Sequence, residues 1–595
     1  MSKTLHLLVA PADVGNAELV FALAPVAGVA GLSSADRRLH LDFNLKESDV
    51  VAGQVGRMTQ RANLSSVFTA QGLPPVDPFR LCYPQIKPAC RGFVDLLARL
   101  DNLRESEPFS AIVHVGPDDW RRAIVEAFCA ARDVGFHWQK SATSRRTRGE
   151  ERARLLRGAM WILRDRRHNR RLQKGDAQTE FLFFAGLTRM MLGLAPVIQE
   201  LRAQNAPLRV VDMYNDRIEA LAGALPGGAW RLNGDAALFP ASHRGNRALR
   251  RKIEALPDAP AQDAVTWRDF QLGAAAKIVL RDATATAVSL AQAVNAILKA
   301  NPNALVIGTN ENEQVLEIAR AAERTVAVVQ TSALAEYNRI LTGRGRYLVM
   351  SDTDADGLHH LGVARDQIVA CGHAYYDSLA RRDARAEAEA LRARLNIAAG
   401  RPLFLLLDVY AVPAAIEKET REDIFCAIYR GLAKAIVESG AILVIKLRPG
   451  QSVRGQSSSE DEHVAWAREA GIPDAQILVS REALVFPFIA ACDLMISCDS
   501  TAGIEAILLD KPMISWPLSN ADYFGYAAQG AAALAQNEHE VEAASLAFLR
   551  EPQALESLAR GRDRYRAAYF HAYDGNVAAR QATALREARP KSTPE

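Results

Sequence analysis

Cys492-Asp493-Leu494-Met495-Ile496-Ser497-Cys498-Asp499-Ser500-Thr501-Ala502-Gly503-Ile504-Glu505-Ala506 sets the reading of this 595-residue chain. Leu494–Ser497 is apolar enough for a buried strand, and a few small polar residues then lead into a helical pattern over Thr501–Leu509. A strand that hands a polar turn to a helix N-terminus is the unit of a doubly wound α/β sheet. Ligands of such sheets gather outside the carboxyl ends of the strands. The first-turn amides lack intrahelical partners and carry the positive end of the peptide dipoles, so the turn suits a phosphate. Ser500 and Thr501 add hydroxyls, Gly503 admits a ligand against the backbone, and Glu505 suits a ribose diol. The plainer alternative makes Ser500 an N-cap and Glu505 a solvated helix residue.

The same pattern repeats outward. Leu403–Leu407, Ala441–Leu447, Ile477–Val479 and Met513–Ser515 read as further strands, with helices at Glu422–Ser439, Val464–Ala470 and Val541–Arg550. Asp383–Arg394 is a charged helix, and Gly400-Arg401-Pro402 breaks the chain before this block. An earlier block begins with strand Phe181–Ala185, then Gly186, helix Thr188–Arg202 and strand Leu208–Met213. It continues with helix Thr286–Lys299, strand Ala304–Gly308, helix Glu313–Arg320 and strand Thr325–Gln330. Strand and helix in alternation imply a parallel sheet covered on both faces. A first block carries strands at Leu5–Ala10 and Ala111–Val115 and a helix at Trp120–Arg132, while Arg57–Gln71 and the Pro-rich Gly72–Pro88 give no clear topology. The expected domains are an N-terminal accessory α/β domain (1–140), a basic helical linker (141–175), an acceptor domain (176–380) and a nucleotide-donor domain (381–595).

Composition narrows the class. Hydrophobic residues are 49% and charged residues 24%, an ordinary globular balance, and no apolar run approaches the ~18 residues of a membrane span. The seven cysteines (82, 90, 129, 371, 426, 492 and 498) form no CxxC pair, which argues for a reducing cytoplasm and against a zinc or disulfide framework. Net charge is +3, yet residues 145–174 hold twelve Lys/Arg against three Asp/Glu, leaving the remainder at −6. Such a patch is either a solvated basic helix or a contact with anionic lipid at the inner membrane, where Trp161, Ile162 and Leu163 would help. No nucleic-acid motif accompanies it.

Two more segments carry polar groups at strand ends. Lys446 and Arg448 alternate before Pro449 and suit a nucleotide phosphate, or simply meet solvent. Gly372-His373-Ala374-Tyr375-Tyr376-Asp377 joins the last two blocks; by itself it reads as a turn with a surface histidine.

Together these segments resemble the GT-B glycosyltransferases of bacterial capsule, lipopolysaccharide and teichoic-acid synthesis, which share a fold with UDP-N-acetylglucosamine 2-epimerase. The family pattern Gly-x-x-x-x-Asp is matched by Gly372 and Asp377, and Lys-x-His-Pro by Lys446-Leu447-Arg448-Pro449. The Ser-Thr…Glu-Ala segment is matched by Ser500-Thr501 and Glu505-Ala506, with Lys511-Pro512-Met513-Ile514 after it, and the Asp-Gly…Arg tail by Asp574-Gly575 and Arg580. The resemblance implies two Rossmann-like doubly wound domains facing across a cleft, with a final helix returning to the first lobe. It also implies that Gly372, Lys446, Arg448, Ser497, Ser500 and Thr501 lie about the donor phosphates and Glu505 about its ribose. Arg448 stands where many members have histidine; arginine binds phosphate, bidentately if need be, but does not titrate near neutrality.

An inverting transfer needs a base on the acceptor side. Glu311, directly after strand Ala304–Gly308, is the candidate, with Asp212, Glu313, and Asp354 and Asp356 in the loop Ser351–Gly357 as others; Glu311 and Glu313 equally fit helix N-terminal acids. Gly186, Gln330 and His373 are expected to line the acceptor side, and no Asp-x-Asp at a strand end suggests a metal. The expected activity is transfer of a sugar from a nucleotide-sugar co-substrate to a glycan or lipid-linked acceptor, without a resident cofactor, in the cytoplasm or at the inner membrane. The alternatives are a CDP-alcohol phosphotransferase of the teichoic-acid type and a non-catalytic nucleotide- or glycan-binding scaffold.

Overall fold

A computed structural model describes residues 3–8, 19–22, 39–140, 179–185, 188–213, 230–232, 240–256, 264–309, 313–331, 345–408, 418–447, 459–482, 484–498, 500–517, 522 and 524–589. The basic segment 145–174, the strand-end residues Gly186, Glu311 and Arg448, and Asp499 lie outside them.

The C-terminal lobe holds six parallel strands: β14 Leu403–Leu407, β15 Ile442–Lys446, β16 Ile477–Ser480, β17 Leu494–Ser497, β18 Met513–Ser515 and β19 Ala533–Leu534, in the order β16-β15-β14-β17-β18-β19. Counted along the chain this is 3-2-1-4-5-6, and the order reverses between β14 and β17. Alternate side chains enter different cores. Leu403, Leu405, Leu407 and Met495 face one, and Phe404, Leu406, Leu494 and Ile496 the other. A near-continuous apolar run is therefore what a strand covered by helices on both faces requires.

The preceding lobe repeats the plan with seven parallel strands: β5 Phe181–Ala185, β6 Leu208–Asp212, β7 Trp230–Arg231, β10 Leu305–Thr309, β11 Val326–Val329, β12 Arg346–Val349 and β13 Ile368–Ala370. Their order is β13-β12-β11-β10-β5-β6-β7, so the reversal falls between β5 and β10. A short antiparallel hairpin, β8 Thr266–Trp267 and β9 Phe270–Gln271, interrupts the series. Phe181, Phe183, Leu305 and Ile307 face a core closed by Val577, Ala582 and Leu585 of the helix Val577–Glu587. The chain thus ends by recrossing from the second lobe to the first, which completes the GT-B arrangement.

The N-terminal residues form four parallel strands, β1 Lys3–Leu8, β2 Leu19–Ala22, β3 Phe109–Gly116 and β4 Gly135–Lys140, in the order β2-β1-β3-β4. This block is continuous with the first lobe. Leu5, Val94, Phe128, Trp267, Phe270, Leu280 and Phe184 belong to one buried cluster. Of the Pro-rich stretch Gly72–Pro88, unreadable in sequence, the part from Pro78 on is the start of the 29-residue helix Pro78–Ser106. Asp77 caps it by accepting from Phe79 N at 2.9 Å, and Pro78 takes the first turn, where no amide partner is lost. Pro84 and Pro88 sit inside it, against ordinary propensity. Burial of Leu81, Ile86, Cys90 and Phe93 along the same helix overrides them.

Arg132 joins block to lobe, pairing bidentately with Asp101 (2.8 and 2.9 Å) and with Asp269, its guanidinium 4.4 Å from the Phe270 ring. Arg132→Ala is expected to cost about 1–2 kcal/mol in urea unfolding, since bidentate and stacked contacts exceed an ordinary surface pair. An unchanged midpoint would show the contact to be idle. Among the described residues no helix is long and apolar enough to cross a membrane.

Candidate active site

The reversal in the second lobe places the ends of β14 and β17 side by side, and the Ser497–Glu505 segment leaves the sheet there. Ser500 and Thr501 are half-buried, so both keep some contact with solvent. Ser500 Oγ accepts weakly from Ala502 N at 3.3 Å, while Thr501 holds the N-cap position of helix Ala502–Leu508 without a side-chain cap bond. The Ser497 hydroxyl is buried with no hydrogen-bond partner. Gly503 serves a different end from the one expected. A Cβ there would lie 2.5 Å from the Tyr526 ring, whose hydroxyl donates to Ser500 O at 3.0 Å. The missing side chain admits Tyr526, which clamps the turn from behind, rather than a ligand.

Glu505 is neither solvated nor paired. It is 7% exposed and its Oε2 has no partner. Burial pushes its pKa up to about 8, and the nearby Arg382 guanidinium only partly opposes this. Tyr375 and Tyr376, from helix Ala374–Leu379 between the lobes, stand close enough for its charge to help push their hydroxyl pKa values up, chiefly a burial effect.

Across the seam, Gln330, Ser351 and His373 follow within three residues of the ends of β11, β12 and β13. Gln330 Oε1 accepts from Met350 N at 2.8 Å, while its buried Nε2 makes no hydrogen bond. Asp354 was expected in a loop. It lies instead in the first turn of helix Asp352–His360, capped by Ser351, whose Oγ accepts from Asp354 N (3.0 Å) and donates to Oδ2 (2.9 Å). Burial raises the Asp354 pKa to about 6, against those hydrogen bonds. His373, read as a surface histidine, is 2% exposed and lies 4.3 Å from the Tyr376 ring; burial lowers its pKa to about 4. Tyr573, pushed up by burial and by Asp377 and Asp354, completes a polar and aromatic seam from Asp354 to Glu505.

Other expected residues sit elsewhere. Lys446 is buried, with Nζ donating to Leu447 O at 2.8 Å and 5.7 Å from the Phe488 ring, so it stands inside its own lobe rather than free at the strand end. Gly372, at φ +90°, lies against the chain's own terminus; a Cβ would meet His571 O and Val577 Cγ2 at 2.8 Å. Asp377 accepts from Gly575 N (2.8 Å) and Val577 N (3.3 Å), and Arg580 binds Asp574 through two 2.8 Å contacts and donates to Cys371 O. The Gly372…Asp377 and Asp574…Arg580 motifs are thus two halves of one lock between chain crossings. Gly186 and Glu311 follow β5 and β10, the strands flanking the first lobe's reversal. Sequence reasoning undervalued Asp354 and missed Tyr376, Tyr526 and Tyr573, for which no spacing signal existed.

No protein-family model matches the chain, and no curated relative does. Solved structures of similar fold include a UDP-GlcNAc 2-epimerase from Neisseria meningitidis bound to UDP-GlcNAc, 13% identical, covering 69% of this chain and 100% of its own, at a TM-score of 0.46. A glycosyltransferase from Rickettsia africae is 8% identical (69% and 98% covered, TM-score 0.41). An Anabaena protein in complex with UDP and glucose is 11% identical (69% and 99%, TM-score 0.41). Likeness at this level carries nothing about what this chain binds or does.

Proposed function

We propose that this protein transfers a sugar from a nucleotide donor to a glycan or lipid-linked acceptor of the cell surface. The observation that carries the reading is Glu505, a buried carboxyl with an unpartnered oxygen beside the half-buried Ser500 and Thr501 at the second lobe's strand reversal. Buried polar groups without partners are expensive, and a ribose diol supplies two hydroxyl donors. The donor phosphates then fall to the hydroxyls of Ser500 and Thr501.

In the reaction the acceptor oxygen bonds to the anomeric carbon as the bond from that carbon to the donor phosphate breaks. The phosphate leaves with the electron pair, and the acceptor proton passes to a base. Asp354, with a pKa of about 6, is ionised at neutral pH and titrates close enough to it to act efficiently. Glu311, after β10, is the alternative base. Catalysis is otherwise positioning and stabilisation of the departing charge.

Purified protein is tested first by thermal shift against UDP, CMP, CDP and GDP, since a ligand bound only by the folded state raises its melting temperature. Donor turnover should rise with pH through about 6 as Asp354 loses its proton. Asp354→Asn should abolish that rise and lower turnover by about 10²–10⁴-fold. Retention of both by Asp354→Asn, with loss in Glu311→Gln, would move the base to Glu311. No shift with any nucleotide would end the reading.

A further inference from the structure

Tyr526 is held rigidly behind the Ser500–Thr501 turn. It is 1% exposed, and its backbone is pinned on both sides. Its amide donates to Asp522 Oδ1 at 3.1 Å, and its carbonyl accepts from Ala531 N (2.8 Å) and Ala532 N (3.2 Å). The ring lies against Phe524 and Tyr565, with centroids 5.3 and 5.4 Å away. So placed, its hydroxyl donates to Ser500 O at 3.0 Å.

That bond does not rescue a lone carbonyl, because Ser500 O already accepts from Gly503 N at 3.1 Å. Nor does the backbone ask for glycine at 503. The residue lies inside helix Ala502–Leu508 without a positive φ, where alanine is the better helix former by about 1 kcal/mol. What excludes a side chain there is Tyr526, whose ring and hydroxyl would lie 2.5 and 2.8 Å from a Cβ. The chain gives up helix stability at Gly503 and gains a second hydrogen bond on a carbonyl that already had one.

The consequence falls on the other end of the same peptide. A trans peptide is planar, with its C=O and N–H pointing opposite ways. With Ser500 O drawn toward Tyr526, the N–H of Thr501 points away from it. Among the described residues that N–H has no acceptor, whereas the next amide, Ala502 N, is taken by Ser500 Oγ at 3.3 Å. A hydrogen bond at the carbonyl also polarises the peptide and strengthens its N–H. Two buried groups beside this turn lack partners as well, the Ser497 hydroxyl and Glu505 Oε2. A fixed, strengthened N–H next to a buried hydroxyl with nothing to bind favours an oxyanion.

We propose that Tyr526 is a positioning residue for the donor phosphates, aiming the Thr501 N–H at a phosphate oxygen through its hold on Ser500 O. That the anion belongs to a sugar donor rests on the glycosyltransferase reading; the aiming of the amide does not. Full-length protein with its threonine amides labelled for NMR is titrated with pyrophosphate, the Thr501 signal being identified by its loss in Thr501→Ser. Pyrophosphate should move this amide in the parent. Tyr526→Phe keeps the ring and the melting temperature, and should need about tenfold more pyrophosphate, a loss of about 1.4 kcal/mol. Gly503→Ala, whose methyl group displaces the ring with its hydroxyl intact, should show the same loss, and it carries the test if Tyr526→Phe fails to fold. An amide that pyrophosphate leaves unmoved in the parent, or that titrates alike in the parent and Tyr526→Phe (or Gly503→Ala in its place), overturns the proposal. Pyrophosphate at Thr501 without a thermal shift from any nucleotide counts against the transferase reading alone.

Discussion

Glu505→Gln is expected to bind nucleotide at least about tenfold more weakly than the parent at pH 8 and yet to be the more stable protein there. Both effects come from one buried carboxyl. Its ordinary pKa near 4.5 is raised to about 8 in the folded chain, chiefly by burial. The folded state therefore holds the proton more tightly than the unfolded state. The stability this group contributes is fully present below about pH 4.5 and is lost progressively as pH rises through 8. An amide has the shape of the carboxyl without the charge, so the variant escapes that loss, worth on the order of a few kcal/mol at most. Binding runs the other way. A diol that donates two hydrogen bonds favours the ionised form, so nucleotide binding should release a proton and tighten as pH rises toward 8. Urea unfolding at pH 5 and 8.5, with nucleotide titrations at the same values, reads both. Parallel pH profiles for the two proteins would sink the assignment of Glu505 to the ribose.

Asp377→Ala should be the most damaging single change in the seam, at about 3–5 kcal/mol. The carboxylate is 1% exposed and accepts from the amides of Gly575 and Val577, with Arg381 3.9 Å away. Its removal orphans two backbone N–H groups where the chain recrosses to the first lobe. Gly372→Ala attacks the same joint from the other side. The position is held at φ +90°, and a methyl group would sit 2.8 Å from His571 O. Both variants should turn one unfolding transition into two, because the helix Val577–Glu587 then ceases to tie the lobes. A single transition with the parent midpoint would show that the lobes are held by something else. Gly372 was expected near the donor; its contacts and those of Asp377 instead make the pair the reason the seam has a fixed shape.

Local readings survived where burial follows from composition alone. Phe181–Ala185, Leu403–Leu407, Leu494–Ser497 and Met513–Ser515 were legible to the residue, since a fully apolar run between polar turns has one economical fate in a parallel sheet. The helix Trp120–Arg132 was equally plain, with its apolar residues on one face. Pro78–Ser106 was not, because its interior prolines argue against helix and only the core shared with the first lobe outweighs them. Asp354 was misplaced in a loop because Ser351-Asp352-Thr353-Asp354 reads as polar chain until the serine is seen to cap.

Sequence alone determined the alternation of strand and helix, the two doubly wound lobes and the polar turn at Ser500 and Thr501, since these depend on residues a few positions apart. Tertiary structure alone decided which groups lose water and which residues meet. It buried Glu505 and His373, raised Asp354, set Tyr526 behind the turn and locked Asp377 to Gly575 some two hundred residues away. Desolvation and long-range contact depend on the packing of distant segments, which no local pattern encodes.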